Sequence, residues 1–243
     1  MANAEQKQQG DGGRFVGTTW QDLLDLETVD VPEYLRIQNN PDMGDEDLSV
    51  DRYISQEFFN KEKEEMWPRV WQMACREEEI PEPGDHHVYW IIDRSVIVTR
   101  TPSGEIKGYI NSCRHRGRCL RDESGSVDKF RCPFHGATWD LEGQFQGIPN
   151  QWDFEHIEGR DMSLPQVKVA TWGGFVFINF DQDAPPLEDY MEVLPDHFKR
   201  FPLEEYFTGV HVQRVMNCNW KVGAEAFMES WHTVETHKQI LTF

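Results

Sequence analysis

The chain is short of basic residues: 24 Lys and Arg stand against 43 Asp and Glu, a formal net charge of -19 over 243 residues. Such a balance repels phosphate backbones and anionic lipid headgroups, so nucleic acid and membrane surfaces are poor candidates as partners. Long apolar runs are also missing. The longest, Gly173 to Phe180, is a strand's length and far short of the ~20 residues that span a bilayer. Met1 to Arg14 lacks the basic start and apolar stretch of a secretory signal. Cysteine is scarce and odd in number, with Cys75, Cys113, Cys119, Cys132 and Cys218 scattered along the chain. That disfavours a disulfide framework and fits a reducing cytoplasm in which some thiols bind metal. What is present is enough apolar matter to fold: 38% hydrophobic and 12% aromatic residues, the composition of a globular protein of one or two domains.

Three stretches differ in texture. Residues 1–50 are a polar leader, Gly-rich over 1–13, followed by a helical segment from Val31 to Gln38. From Ser55, an N-cap residue, EFFNKEKEEM predicts a helix to Met66. Short β-rich runs follow, among them VWQMA, VYWII, SVIVTR, IKGYIN and GGFVFINF, broken by Gly, Pro and Asp; they predict an antiparallel β domain within 51–183. Pro185 and Pro186 mark a linker, with a boundary near residue 184. Over 184–243 the pattern predicts a helix at Leu187–Phe198, a strand at Thr208–Met216 and a helix at Asn219–Val234.

Chemistry concentrates in two loops. Cys113-Arg-His115 is followed, sixteen residues later, by Cys132-Pro-Phe-His135. Each arm carries one thiol and one imidazole, and Gly117 and Gly136 flank them, able to bring backbone N–H groups close to a bound group. Structural zinc sites usually pair Cys with Cys and His with His on separate arms, whereas these arms are mixed. A Rieske [2Fe–2S] centre, in which two His replace two Cys on one iron, needs each loop to give one ligand to each iron. Zinc and chance remain the weaker alternatives.

Read together, CRHRGRC and CPFHG resemble the C-x-H-R-G and C-P-Y/F-H-G motif of the α (oxygenase) subunits of Rieske non-haem iron aromatic-ring-hydroxylating oxygenases. The resemblance runs from about Tyr53 to His237 and looks like the N-terminal portion of such a subunit. It implies that Cys113 and Cys132 hold one iron and His115 and His135 the other. Ala137 stands where the family commonly has Trp, and Trp139 is the candidate to fill that packing role. Membrane-anchored respiratory Rieske proteins carry a further cysteine in each loop; here Cys119 lies near one such place, but Phe134 occupies the other. Arg114, Arg116, Arg118, Arg121 and Arg131 form a basic patch near the motif, read either as balanced loop charge or as a docking place for an acidic electron donor.

A second segment, NWKVGAEAFMESWHTVETH (219–237), places Glu225, Glu229 and His232 at helical spacing on one face. On an ideal helix His237 would lie roughly 140° from His232, so joint binding requires the helix to end or kink between them, with Thr233-Val234 the expected place. The family has its mononuclear Fe(II) on a segment of this form. By resemblance His232 and His237 are iron ligands, Glu229 is the acid linking this site to a Rieske histidine (His135) of a neighbouring subunit, and Asn219 approaches the iron or caps the helix. The family more often has Asp where Glu229 stands. The third ligand, a downstream carboxylate, has no counterpart after His237, so the catalytic domain reads as truncated.

The implied fold is α+β: an antiparallel β Rieske domain plus the beginning of a helix-grip α+β catalytic domain. The implied activity is hydroxylation of a small organic substrate, most readily aromatic, with O₂ as co-substrate and electrons arriving from NAD(P)H through a reductase, with or without a ferredoxin. A homotrimer or α3β3 assembly, cytoplasmic and without nucleic acid or membrane partners, goes with that reading. The alternatives are a stand-alone Rieske electron carrier and a zinc-stabilised binding domain.

Overall fold

The computed structural model describes residue 17 and residues 20–36 and 46–240, and the chain divides into two compact units, Met1–Val50 and Asp51–Phe243. Among its described residues the first unit holds helix α1 (Trp20–Leu24) and a 3₁₀ turn at Glu33–Leu35. The indole of Trp20 donates to the Leu35 carbonyl at 3.1 Å, and Arg36 pairs with Asp25 at 2.8 Å. The helix expected from Val31 shrinks to that turn because Pro32 holds an extended conformation (φ -55°, ψ 139°) immediately before it. Its end at Gln38, like the leader at 1–13, lies outside the described residues.

The second unit opens with α2 (Asp51–Ile54) and α3 (Gln56–Lys61), the latter running on as a π turn to Met66. Ser55 caps α3 as its residue type predicts, its hydroxyl accepting from the Phe58 N–H at 3.3 Å. Then come β1 (Gln72–Arg76), β2 (Asp85–Ile91), β3 (Arg94–Arg100), β4 (Ile106–Ile110), β5 (Gly125–Ser126), β6 (Phe130–Arg131), β7 (Thr138–Trp139), β8 (Phe145–Gly147), β9 (Gln166–Trp172) and β10 (Phe175–Asn179). Among the described residues they make a seven-stranded sheet, β1-β10-β9-β4-β3-β2-β5, and a three-stranded sheet, β6-β7-β8, antiparallel throughout. Each β run singled out above coincides with a strand to within a few residues; β9, with Val167 and Val169 alternating around Lys168, joins them.

Strand β3 shows why the sheet is two-faced. Val96, Ile97, Val98 and Thr99 are all fully buried. Ile97 joins Tyr109, Phe130, Trp139 and Leu141 in one core, while Val96 and Val98 join Ile80, Val176 and Ile178 in another. Successive residues of a strand point to opposite faces, so a continuous β-branched run serves a strand covered on both sides. The first core lies between the large sheet and the small one, and both chemistry-bearing loops rise from it. One loop follows β4; the other is the turn between β6 and β7.

Past β10, α4 (Leu187–Met191) seats Leu187 and Met191 on Trp71. The Trp71 indole donates to the Pro185 carbonyl at 3.0 Å, so the Pro-Pro stretch is held against the sheet. The single helix expected over Leu187–Phe198 is two, α4 and α5 (Leu194–Phe198), broken where Glu192 takes φ 48°. The strand expected at Thr208–Met216 does not form. Val210, Val212 and Val215 are exposed there, and alternation alone cannot stabilise a strand without a neighbour to supply its hydrogen bonds. The helix expected over Asn219–Val234 is likewise two short pieces, α6 (Trp220–Glu225) and α7 (Thr233–Thr236). Between them Phe227 and Trp231 are 94% and 88% exposed, so no buried face holds a continuous helix together.

Gly143 tests the packing of the first core. It sits at φ +78°, and a Cβ there would meet the Tyr109 ring at 2.5 Å. Gly143→Ala therefore combines a left-handed backbone with an overpacked ring and should cost about 2–4 kcal/mol of stability. A chemical denaturation midpoint equal to wild type would show that the turn relaxes freely.

Candidate metal centre

The two loops share one backbone design. In the first, the Cys113 carbonyl accepts from the Gly117 N–H at 2.9 Å, and the Cys113 N–H donates to the Arg118 carbonyl at 2.9 Å. In the second, the Cys132 carbonyl accepts from the Gly136 N–H at 3.0 Å, and the Cys132 N–H donates to the Ala137 carbonyl at 2.8 Å. Each loop turns back at the fourth residue after its cysteine, which needs positive φ: 74° at Gly117 and 75° at Gly136. Glycine takes that conformation without steric cost. At Gly136 a Cβ would also crowd Pro149 at 3.0 Å.

This design sorts the donors by depth. Cys113 and Cys132 are buried in the first core, each thiol within hydrogen-bonding reach of the other, with no disulfide between them. His115 and His135 stand exposed above them with ring centroids 4.9 Å apart. Histidine occupies the second position after the cysteine in one loop and the third in the other, yet the loops face one another and the rings meet. Burial, helped by the neighbouring Cys132, pushes the Cys113 thiol above its ordinary pKa, while the backbone N–H groups of His115 and Arg116 act the other way. Amide donors aimed at a sulfur favour its thiolate, and paired buried thiols ionise together only beside a compensating cation. Two inward thiols, two outward imidazoles and amides on sulfur thus suit a cluster with two protein ligands on each iron.

Residues not anticipated from the sequence hold the first loop. Asn111, buried at the end of β4, accepts from the Leu120 and Arg121 N–H groups, both at 3.0 Å, and donates to the Arg121 carbonyl at 2.6 Å. Arg121 in turn donates from Nε to Nε2 of buried His86 at 3.0 Å, while His86 Nδ1 faces the Gly84 carbonyl at 3.3 Å. His86 is therefore neutral, with its proton on Nδ1. A polar Asn closing an apolar strand just before the first cysteine was the available signal; His86 offered none. Beneath the second loop, Trp139 is fully buried, and its indole donates to the Met162 carbonyl at 2.7 Å.

The basic patch separates into parts. Arg118 pairs with Asp122 at 2.7 Å, Arg121 serves His86, and Arg114 reaches the Asp161 carbonyl at 3.3 Å. Much of its charge thus has a local structural use. A cleft of about 550 Å³ opens beside the imidazoles, where Arg114, His115 and His135 face Phe154, His156 and Arg160 of the following segment.

The second segment is organised differently. Asn219 is an N-cap: its Oδ1 accepts from the Lys221 N–H at 3.0 Å and its Nδ2 donates to the Tyr53 carbonyl at 3.0 Å. Of the two roles open to it, the structure shows capping. Glu225 ends α6 and accepts from the Tyr53 hydroxyl at 2.7 Å. Glu229 lies between the helices, not on a shared helical face with Glu225. One of its oxygens meets His232 Nδ1 at 2.5 Å, and the other accepts from the backbone N–H groups of Trp231 and His232. These bonds lower the Glu229 pKa, the His232 side-chain bond foremost, and leave the His232 Nε2 lone pair for another partner.

His232 and His237 bracket the single turn of α7, with ring centroids 5.3 Å apart. The helix ends at Thr236, not at the expected Thr233-Val234, and His237 leaves it with φ -117°, ψ 49°. Among the described residues, no three His, Cys, Asp or Glu side chains are grouped to hold one metal ion. His232 and His237 thus stand as a pair of neighbouring imidazoles, with no third such side chain grouped beside them among the described residues.

Comparison with known proteins bears on the class. Residues 70–168 match the family model of the Rieske [2Fe–2S] domain. The chain is 31% identical over 192 residues to the chlorobenzene dioxygenase subunit alpha of Cupriavidus sp. (strain PS12), covering 76% of this chain and 42% of that protein. Naphthalene 1,2-dioxygenase from Rhodococcus sp., solved with indole bound, matches with a TM-score of 0.68 at 32% identity, covering 76% of this chain and 44% of that one. A quaternary ammonium Rieske monooxygenase, solved with its substrate L-carnitine, matches with a TM-score of 0.72 at 25% identity, covering 79% and 55%. The fold and the paired loops therefore define a Rieske [2Fe–2S] domain in an α+β setting, matching the N-terminal portion of Rieske oxygenases. The chain is a homologue of the α subunits of Rieske ring-hydroxylating oxygenases and spans about two fifths of the length of the curated relative, 42%.

Two measurements check this architecture. Asn111→Ala removes buried hydrogen bonds from the first loop and should lower stability by about 1–3 kcal/mol; an unchanged unfolding midpoint would show the loop to be held otherwise. Burial holds the His86 pKa below its ordinary 6.5, so the unfolded chain takes up the proton first as pH falls. The stabilising contribution is complete above pH 6.5 and is lost as pH drops through that value toward the folded pKa. The thermal midpoint of wild type should fall more steeply between pH 7 and pH 5 than that of His86→Gln. Parallel curves would remove His86 as a cause.

Proposed function

We propose that this chain works in an oxygenase component that draws electrons through a Rieske cluster and uses O₂ at a mononuclear non-haem iron to hydroxylate an organic substrate. The convergence of two identically closed loops, thiols inward and imidazoles outward, carries this reading. Cys113 and Cys132 would hold the inner iron, and His115 and His135 the outer. A cluster held there supplies electrons one at a time. The exposed imidazole edge is where a redox partner gains closest access, and Asn111, Gly117 and Gly136 keep that edge in place. The chlorobenzene and naphthalene relatives support an aromatic substrate, and the electron source is a reductase, with or without a ferredoxin.

On this reading residues 51–183 are the Rieske domain with its preceding helix, and 184–243 begin the catalytic domain. His232 and His237 would be two of its iron ligands, with Glu229 fixing the His232 tautomer. A stand-alone electron carrier is the competing function. It has no use for a second histidine pair steered by a carboxylate, which is the observation favouring the oxygenase. Among the described residues no helix is long and apolar enough to cross a membrane.

EPR of the dithionite-reduced protein, with iron and acid-labile sulfide counts, tests the cluster. A rhombic signal with average g below the free-electron value and two irons and two sulfides per chain is expected. Cys132→Ser and His135→Ala should abolish it, whereas His232→Ala should leave it intact. A colourless, EPR-silent protein containing zinc would overturn the redox reading.

A further inference from the structure

Segment 206–240 is largely exposed, yet its α6 end is gripped at several points by the chain just before β1. Lys221 Nζ lies 2.5 Å from Glu62 Oε1, with the two side chains only 14% and 7% exposed. The ammonium also stands over the rings of Phe58, at 5.1 Å, and Trp220, at 5.2 Å. The Trp220 ring meets Trp67 edge-on at 5.2 Å. Tyr53 supplies two more contacts, its carbonyl accepting from Asn219 and its hydroxyl donating to Glu225.

Glu62 Oε2 is buried and without a hydrogen-bond partner. A carboxylate so placed is tolerable only because Lys221 lies against its other oxygen, for a lone buried charge is strongly unfavourable. The pair therefore acts as a selective latch: neither side chain is at ease in this position without the other. Nearly all of the specific polar contacts of Asn219–Glu225 described above are made to residues 53–62.

We infer that Glu62 and Tyr53 are positioning residues for the His232/His237 pair, acting through Lys221, Asn219 and Glu225. The helix ahead of the Rieske sheet, through this clasp, sets where the second histidine segment begins. This rests on reading 219–237 as the second iron segment, and the test separates the two ideas.

The protein with its cluster installed should be compared with Glu62→Gln, with the double variant Glu62→Gln/Lys221→Met, which leaves no buried charge if the single variant fails to fold, and with the swap Glu62→Lys/Lys221→Glu. Amide hydrogen exchange across 219–237 should accelerate by about tenfold in the first two, the loss expected for one charge-assisted hydrogen bond, with β1–β4 and β9–β10 unchanged. Cu(II) alone, added to the oxidised protein, probes the pair, because nitrogen superhyperfine splitting counts bound imidazoles. Two nitrogens that depend on His232 are expected in wild type and in the swap, and fewer in the other variants. Exchange that is unchanged, or accelerated equally in the strands, overturns the inference, as does a copper pattern the same in all variants. Loss of the rhombic Rieske signal from wild type would instead defeat the functional reading, and the exchange data would still judge the clasp.

Discussion

Everything in the Rieske unit depends on one constraint: two short loops, with sixteen residues between His115 and Cys132, must deliver sulfur downward and imidazole upward at the same place. No local preference achieves that. The loops close themselves through paired Cys and Gly backbone hydrogen bonds, but their mutual placement comes from the core beneath, where Tyr109, Phe130 and Trp139 fill the space between the sheets. The thiols are part of that core. Burial makes ionisation of Cys113 costly without a compensating cation, so the same packing that orders the loops also favours an occupant of positive charge.

The fold is most legible where motif chemistry and β-rich runs bounded by Gly, Pro and Asp coincide. The mixed Cys-His arms, their glycines and the runs around VYWII, SVIVTR and IKGYIN each correspond to observed geometry, because in each case the local rule and the tertiary packing agree. Legibility ends where tertiary support decides. Val210, Val212 and Val215 alternate like a strand but find no neighbouring strand. Trp220, Phe227 and Trp231 keep helical spacing, yet the helix stops at Glu225, and Glu229 turns its carboxylate onto the following backbone. His86 and Arg121 lie thirty-five residues apart, and nothing local announces a bond over that distance.

The two histidine pairs are held by contrasting means. His115 and His135 stand on loops rooted in a packed core. His232 and His237 bracket a single helical turn, and their surroundings are polar: a carboxylate on Nδ1 of His232, an N-cap at Asn219 and a half-buried ammonium at Lys221. Hydrophobic packing beneath the loops, together with the buried hydrogen bonds of Asn111, fixes the first pair. Charge and hydrogen bonds fix the second, which accordingly is the more sensitive to its surroundings.

The strand order also bears on how the unit comes into being. Among the described residues strand β1 pairs only with β10, Gln72 opposite Ile178, a closure across about a hundred residues that carries a substantial loop-entropy cost. The hairpin carrying Cys132 pairs neighbours only a few residues apart, Arg131 with Thr138. The edge of the large sheet can close only once Asn179 is present, whereas the partners of the second loop's hairpin lie within a few residues of each other. The Cys132 end of the unit is closed by contacts local in sequence and the opposite edge by remote ones, so the larger loop-closure cost falls on that edge.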